Sequence, residues 1–365
     1  MERSGNRLIS LDAMRGFTIA AMILVNFPGD GDQVYPPLQH SVWNGLTFTD
    51  LIAPFFLYIV GVSIALAYGR KLFTNTLDAG VYRKIVVRSL KIFAVGMFLN
   101  LLPNFDFAEL RWTGTLHRIA IVFLVCALLF LHTGWRVQAL AGALILIGYW
   151  LAMTLIPTPG TGRVMLEPGV NLAAWVDSQY LPGRMWQGTW DPEGILSTFP
   201  SIATGITGML AGRLLISGYE PSHKVNYLMT AGLFTAALGY FWGLVFPVNE
   251  NLWTSSFVLV TSGLASLLLG AMMFLVDILD RTKGMAPGVI FGANAITVYV
   301  LADILSIPFY QIPIGDSTLN SHVVAGLTTA GVAPRLASMV FALLFVGINF
   351  IPAYLLYRKK VFIKL

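Results

Sequence analysis

Residues 12–68 read DAMRGFTIAAMILVNFPGDGDQVYPPLQHSVWNGLTFTDLIAPFFLYIVGVSIALAY. Two apolar runs, 12–28 and 48–68, enclose a polar, turn-rich stretch at 29–46. A helix needs about 20 mostly apolar residues to cross the hydrocarbon core of a bilayer. Both runs meet that length approximately, so the stretch between them lies at one mouth of a membrane-embedded bundle. At or near that mouth stand an imidazole (His40), a carboxylate (Asp50) and two carboxamides (Asn26, Asn44). Polar groups are expensive there unless they have partners or a task. Imidazole is also the side chain best suited to moving protons near neutral pH.

Composition extends this reading to the whole chain. Hydrophobic residues make up 56% of the 365 and charged residues 11%, where a soluble domain carries about 25% charged. Mean hydropathy is +0.73. The expected fold is all-α, a polytopic membrane helical bundle forming one integral domain over 1–365. Ten segments qualify as spans: 12–28, 48–68, 84–102, 115–132, 137–156, 195–217, 225–246, 254–277, 286–308 and 335–357. Of these, 84–102 opens with several charges and 286–308 is broken by Pro308. The first is expected to remain as a span, since no small-residue cleavage site follows it. The single Cys126 lies in an apolar run, so no disulfide framework or cysteine metal site is expected.

Orientation follows from Lys/Arg asymmetry. With the N-terminus in the cytoplasm, Arg111, Arg118, Arg163, Arg184 and Arg335 fall outside, and the other 18 of the 23 basic residues fall inside. Both termini are therefore expected to be cytoplasmic. The net charge of +5 is then positive-inside charge, and no nucleic-acid partner is needed to account for it. The His40 loop and the longest connection, 157–193, fall on the outer face. That connection carries Trp175, Tyr180, Trp186 and Trp190. They read either as an interfacial belt or as a platform for a sugar ring.

Several other polar residues admit two readings. Asp12 and Arg15 form an i, i+3 pair at the start of the first span. They are either a helix-end ion pair or part of an anion site on the cytoplasmic face. His117 and Arg118 are adjacent just inside a span, where they need an anionic partner or a polar cavity. Asp50 stands near a helix start, and Asp191-Pro192-Glu193-Gly194 resembles a helix cap with Pro in the first turn. Asn294 lies within GANAITVY, where a carboxamide must bond to a helix or line a cavity. No two histidines show metal-site spacing, and no metal is expected.

Six colinear blocks resemble one family. They are RLISLDAMRGFTIAAMILVN, QHSVWNGLTFTDLIAPFFLYIVGVS, GTLHRIAIVFLV, WDPEGILSTFPSIATGITGMLAG, NLWTSSFVLVTSG and GANAITVYV, running from about residue 7 to about 300. Together they look like the heparan-α-glucosaminide N-acetyltransferases, with H-x-x-W-N-G-L-T-x-x-D and D-P-E-G the most specific motifs. The resemblance implies acetyl transfer from cytosolic acetyl-CoA to the amine of a terminal glucosamine across the membrane. It implies that His40 matches the active-site histidine, Asn26 the asparagine near it, and Arg118 the arginine of the G-x-L-x-R block. With Leu-Asp-x-x-Arg-Gly almost at its start, the chain is expected to lack the family's luminal domain and first span, as bacterial relatives do. A smaller amino sugar or cell-wall fragment is therefore expected as acceptor, in a bacterial inner membrane.

These readings combine into one mechanism. His40 acts as general base toward the amine or accepts the acetyl group itself. Asn26 orients the ring or supports the oxyanion, and Asp50 holds the tautomer if the fold brings it near. Expected co-substrate contacts are Arg15, Arg88, His117, Arg118 and Asn294, with Arg70, Lys71, Arg136 and Lys283 as further phosphate candidates. Acetyl-CoA, an amino sugar and the bilayer are the expected partners, with a homodimer left open. Two alternatives stand beside this: an O-acyltransferase of an exopolysaccharide or cell-wall sugar, and a secondary transporter.

Overall fold

The structure, a computed structural model, describes residues 8–73, 77–102 and 105–363. The side chain of Arg70 and the basic residues Arg3, Arg7 and Lys364 lie outside the described residues. Among the described residues the chain is almost wholly helical, with one two-stranded hairpin, Pro313–Ile314 against Ser317–Thr318.

Thirteen α-helices follow one another among the described residues. The first nine are α1 (Ile9–Asn26), α2 (Ile52–Phe73), α3 (Ala79–Leu101), α4 (Thr115–His132), α5 (Trp135–Leu155), α6 (Leu172–Tyr180), α7 (Ile195–Leu215), α8 (Pro221–Trp242) and α9 (Ser255–Met272). The last four are α10 (Ala286–Ala293), α11 (Ala295–Tyr310), α12 (Leu319–Thr329) and α13 (Pro334–Arg358). α9 runs on into a π-helical turn at Met273–Ile278.

Seven helical segments are long and apolar enough to cross a membrane: Ile9–Asn26, Thr49–Gly69, Thr115–His132, Trp135–Leu155, Ile195–Leu215, Ser255–Ile278 and Pro334–Arg358. An eighth arises if α10 and α11, bent by 84° at Asn294, count as one. The two remaining expected segments are helices of full spanning length, α3 with 23 residues and α8 with 22. They differ in polarity. α3 carries Arg83, Lys84, Arg88 and Lys91, and α8 opens on Pro221-Ser222-His223-Lys224.

The break in 286–308 falls at Asn294 instead of Pro308. Pro308 sits in the last turns of α11, where its missing N–H costs at most one helical bond. The Asn294 carboxamide bonds instead to the C-terminal segment. Its Nδ2 donates to Val361 O at 3.0 Å and its Oδ1 accepts from Ile363 N at 2.8 Å. A short side chain satisfied outside the helix competes with helical pairing.

The described residues cluster into two compact units. The first holds the chain up to His40, Thr47–Ile52 and Met272 onward; the second holds Ser41–Leu46 and Ala53–Ala271. In the first, α1 lies backbone to backbone on α10. A Cβ on Gly16 would sit 1.7 Å from Gly288 O, and one on Gly292 2.0 Å from Asp12 O. Such small-residue contact is how membrane helices approach closely. The exit of α1 is pinned: Phe27 packs on Phe345 with centroids 5.0 Å apart, and the Tyr310 hydroxyl donates to Pro28 O at 2.9 Å. Asn320 donates to Gly29 O at 2.9 Å, and Ser338 Oγ accepts from Asp30 N at 3.0 Å. The polar stretch thus leaves the end of α1 in a set direction.

In the second unit α4 packs on α3 and α7, and α5 on α7. The segment 41–46 is anchored there by three hydrogen bonds. Trp43 Nε1 donates to Leu166 O at 3.1 Å, Gly45 N to Val248 O at 2.8 Å, and Asn249 Nδ2 to Asn44 Oδ1 at 3.1 Å.

Candidate active site

Pro36 and Pro37 set the backbone for a 3₁₀ turn at Pro36–Leu38, and Gln39 then extends the chain toward His40. A second 3₁₀ turn, Thr49–Leu51, leads into α2 and carries Asp50 in its middle. The two turns bring the side chains together. His40 Nδ1 donates to Asp50 Oδ1 at 2.9 Å. The carboxylate is fully buried while the imidazole is 57% exposed. The other oxygen, Oδ2, accepts the Thr47 backbone N–H at 2.8 Å. Burying a carboxylate is costly unless it is paired and hydrogen-bonded, and here both oxygens are engaged. With Nδ1–H directed at Asp50, the neutral ring carries its lone pair on Nε2. The arrangement is an oriented base whose ring reaches solvent.

Asn26, the last residue of α1, is exposed, and among the described residues its side chain has no hydrogen-bond partner. Arg15 donates to Asp12 Oδ1 at 3.2 Å and to Gly292 O at 3.4 Å, two residues before the Asn294 bend. The helix-end ion pair is therefore present, and it reaches the end of α10. Both ends of the Asn294 carboxamide are taken up by the C-terminal segment, as above.

The second unit holds a different constellation. Arg111 makes a bidentate pair with Asp191, Nε to Oδ2 at 2.7 Å and Nη2 to Oδ1 at 2.6 Å, and its Nη2 also reaches Glu193 at 2.5 Å. Thr113 Oγ1 and Trp186 N donate to Asp191 as well, at 2.7 and 3.0 Å. Burial alone would raise the Asp191 carboxyl, but the Arg111 hydrogen bonds and charge outweigh it and hold the group down at about 2. The expected cap role of Asp191 and Glu193 is corrected here. α7 starts after Gly194, and the carboxylate that accepts its Ile195 N–H, at 2.9 Å, belongs to Asp177 on α6. A Cβ on Gly194 would lie 2.0 Å from Asp177 Oδ2, so only glycine admits that carboxylate. Burial raises the Asp177 carboxyl to about 6, with the backbone N–H groups of Ile195 and Asp191 opposing it.

His117 and Arg118 lie in the first turn of α4, both almost fully buried. His117 meets Phe93 edge-on at 4.5 Å, and neither ring nitrogen has a hydrogen-bond partner among the described residues. Arg118 donates to Pro192 O at 2.7 Å and Ser197 Oγ at 2.6 Å, with its guanidinium 4.6 Å over the Trp253 ring. Arg88, on α3, lies 4.9 Å over the Phe123 ring. Of the aromatics in 157–193, Trp190 is buried edge-on against Trp43, while Tyr180 and Trp186 are exposed. Arg111 backs the Trp186 ring at 5.1 Å. Sequence reading missed Asp177 and Arg111, whose partners lie 18 and about 80 residues away and leave no local signal.

A model of the family described as "Heparan-alpha-glucosaminide N-acetyltransferase, catalytic" matches residues 7–239. The human heparan-alpha-glucosaminide N-acetyltransferase is 29% identical over 427 aligned positions, covering 98% of this chain and 60% of the relative. The mouse protein of the same name is 27% identical, with 99% and 61% covered. The chain thus spans about three fifths of the length of these curated relatives.

Proposed function

The chain belongs to the heparan-alpha-glucosaminide N-acetyltransferase family, and from that premise we propose that it is a transmembrane N-acetyltransferase. The acetyl group comes from cytoplasmic acetyl-CoA. The acceptor is the amine of a glucosamine-type sugar on the outer, periplasmic side of a bacterial inner membrane. Residues 1–365 act as a single enzyme domain with ten spans and both termini in the cytoplasm. α3 and α8 then cross the membrane, which is what sorts the 23 basic residues into 18 inside and 5 outside.

The observation that carries the catalytic reading is the exposed His40 ring held on the buried Asp50 carboxylate. The acceptor ammonium first loses one proton, to solvent directly or by way of His40, and the free amine attacks; His40 Nε2 takes the second proton from the nitrogen of the tetrahedral adduct. The amine nitrogen bonds to the acetyl carbon, the carbon–sulfur bond breaks, and the thiolate of CoA leaves and takes up a proton from the imidazolium. In the covalent variant of this scheme the acetyl group first rests on the imidazole and then passes to the amine. Asp50 holds the tautomer through its 2.9 Å contact. Asn26, at the mouth of α1, supports the developing oxyanion when substrate is bound.

In this topology Arg15 and Asn294 stand at the inner mouth, where CoA phosphates arrive, and His117 and Arg118 at the outer end of α4. Arg88 lies on α3. An extended pantetheine arm carries the thioester from the inner mouth toward His40. Tyr180 and Trp186 offer exposed rings for the acceptor. The reading is tested by supplying isotope-labelled acetyl-CoA with glucosamine and, separately, with a hydroxyl-only sugar. Label on the amine supports it. Label on hydroxyl groups alone replaces it with O-acylation. No label, with sugar crossing the membrane, replaces it with transport.

A further inference from the structure

His40 and Asp50 are joined by a segment that leaves the first unit and returns to it. Residues 41–46 belong to the second unit, and the chain re-enters the first at Thr47. Such an excursion leaves the spacing of its two ends to whatever closes its base. Thr47 closes it here, beside the His40–Asp50 contact itself. The Thr47 hydroxyl donates to Gln39 O at 2.7 Å, on the residue immediately before His40. The Thr47 backbone N–H donates to Asp50 Oδ2 at 2.8 Å. Thr47 therefore grips the histidine-bearing strand with its side chain and the carboxylate with its main chain.

We propose that Thr47 is a positioning residue for the His40–Asp50 pair, acting as a clasp that holds both partners in one register. This deepens the catalytic reading of His40 and rests on it for its kinetic consequence. The geometric consequence stands alone. A histidine–carboxylate contact selects one tautomer only while donor and acceptor stay aligned. The Thr47 amide fixes Asp50 whatever the side chain at 47. The hydroxyl ties Gln39 O, beside the turn bond from Gln39 N to Pro36 O at 3.2 Å, and through it the backbone of His40. Removing the hydroxyl takes one restraint from the histidine end of the pair and leaves the Thr47 N–H on the carboxylate end in place.

The test uses the full chain in detergent, as Thr47→Val, Thr47→Ala and Thr47→Ser. Ring ¹⁵N spectra of histidine-labelled protein report the tautomer, with His40 assigned among the five histidines by its loss in His40→Gln. The expected result is a falling share of the Nδ1-protonated form in Thr47→Val and Thr47→Ala, and the wild-type spectrum in Thr47→Ser. Alongside it, kcat for acetyl transfer falls about tenfold, the scale of one ordinary hydrogen bond, with the acetyl-CoA KM unchanged. Thr47→Ser restores kcat. Wild-type spectra and turnover in Thr47→Val overturn the clasp. So does Thr47→Ser behaving like Thr47→Val, which would assign the effect to the lost methyl group. If Thr47→Val fails to fold, Thr47→Ala and Thr47→Ser carry the comparison. If the wild-type protein acetylates no amine, the proposed activity fails, and the tautomer spectra still decide the clasp.

Discussion

Two charged constellations in this protein use carboxylates in opposite ways. The Asp191 carboxylate is buried under Arg111, a threonine hydroxyl and a backbone N–H, and Arg111 also reaches Glu193. Asp50 is equally buried, but its side-chain partner is an imidazole more than half exposed. In the first, opposite fixed charges meet and hold each other, and Asp191 is driven far down its titration range. In the second, a carboxylate orients an imidazole, a side chain able to accept and release a proton. The first arrangement resists change and joins the start of α7 to the chain before α4. The second holds an imidazole in place while leaving more than half of it exposed. Fully paired charge builds architecture, whereas an oriented, accessible base is equipped for chemistry.

The comparison is broken most decisively at His40. His40→Ala is expected to fold, melt as wild type and bind acetyl-CoA, while acetyl transfer falls by about 10²–10⁴-fold. Label transfer and thermal unfolding measured on one preparation decide this. Near-normal turnover moves the chemistry elsewhere in the chain.

Arg111→Ala is expected to do the reverse. It strands the Asp191 charge in a buried site, a change that costs about 3–5 kcal/mol. The melting temperature in detergent should drop sharply, and any protein that stays folded should keep its His40 tautomer. A variant that melts like wild type would show that the cluster is not structural.

The smallest effect sharpens the contrast through pH. The Asp177 carboxyl is raised from 3.8 to about 6. The folded state then binds the proton more tightly than the unfolded state. This contribution to stability is complete below about pH 4 and is lost as pH rises through about 6. Asp191 works in the other direction: its folded value is about 2, so its contribution is present above 3.8 and lost only as pH falls toward 2. Between pH 4 and 6 Asp177 is the one of these two that titrates, and the window spans on the order of 2 kcal/mol. Unfolding measured across it should show stability declining with pH in wild type and a flatter profile in Asp177→Asn. An unchanged slope in the variant would remove Asp177 as the source.

Much of this organisation could be read without coordinates. The almost wholly helical character follows from apolar runs of spanning length, and α4, read as 115–132, begins and ends at those residues. The candidate base was legible because imidazole is rare among such runs and stands in a polar stretch between two of them. Less legible was anything that depended on charge meeting charge at a distance. Asp191 and Glu193 read as a cap because Pro192 and Gly194 beside them have the local form of a helix start. The pull of Arg111 from about 80 residues earlier outweighed that local form, and Asp177 took the capping position instead. The bend read at Pro308 fell at Asn294 for a similar reason: the carboxamide found partners at Val361 and Ile363.

By itself, then, the sequence determined the class of the protein, most of its helices and the residue types available for chemistry. These depend on hydropathy and composition, which act locally and survive in one dimension. Only the tertiary structure decided which of those residues meet. His40 and Asp50 are ten residues apart in a stretch with no helical or strand period, so no spacing rule joins them. They meet because two 3₁₀ turns and the grip of Thr47 close the excursion between them. Pairing of this kind is set by where the packed helices direct the chain, which a periodicity in the sequence does not encode.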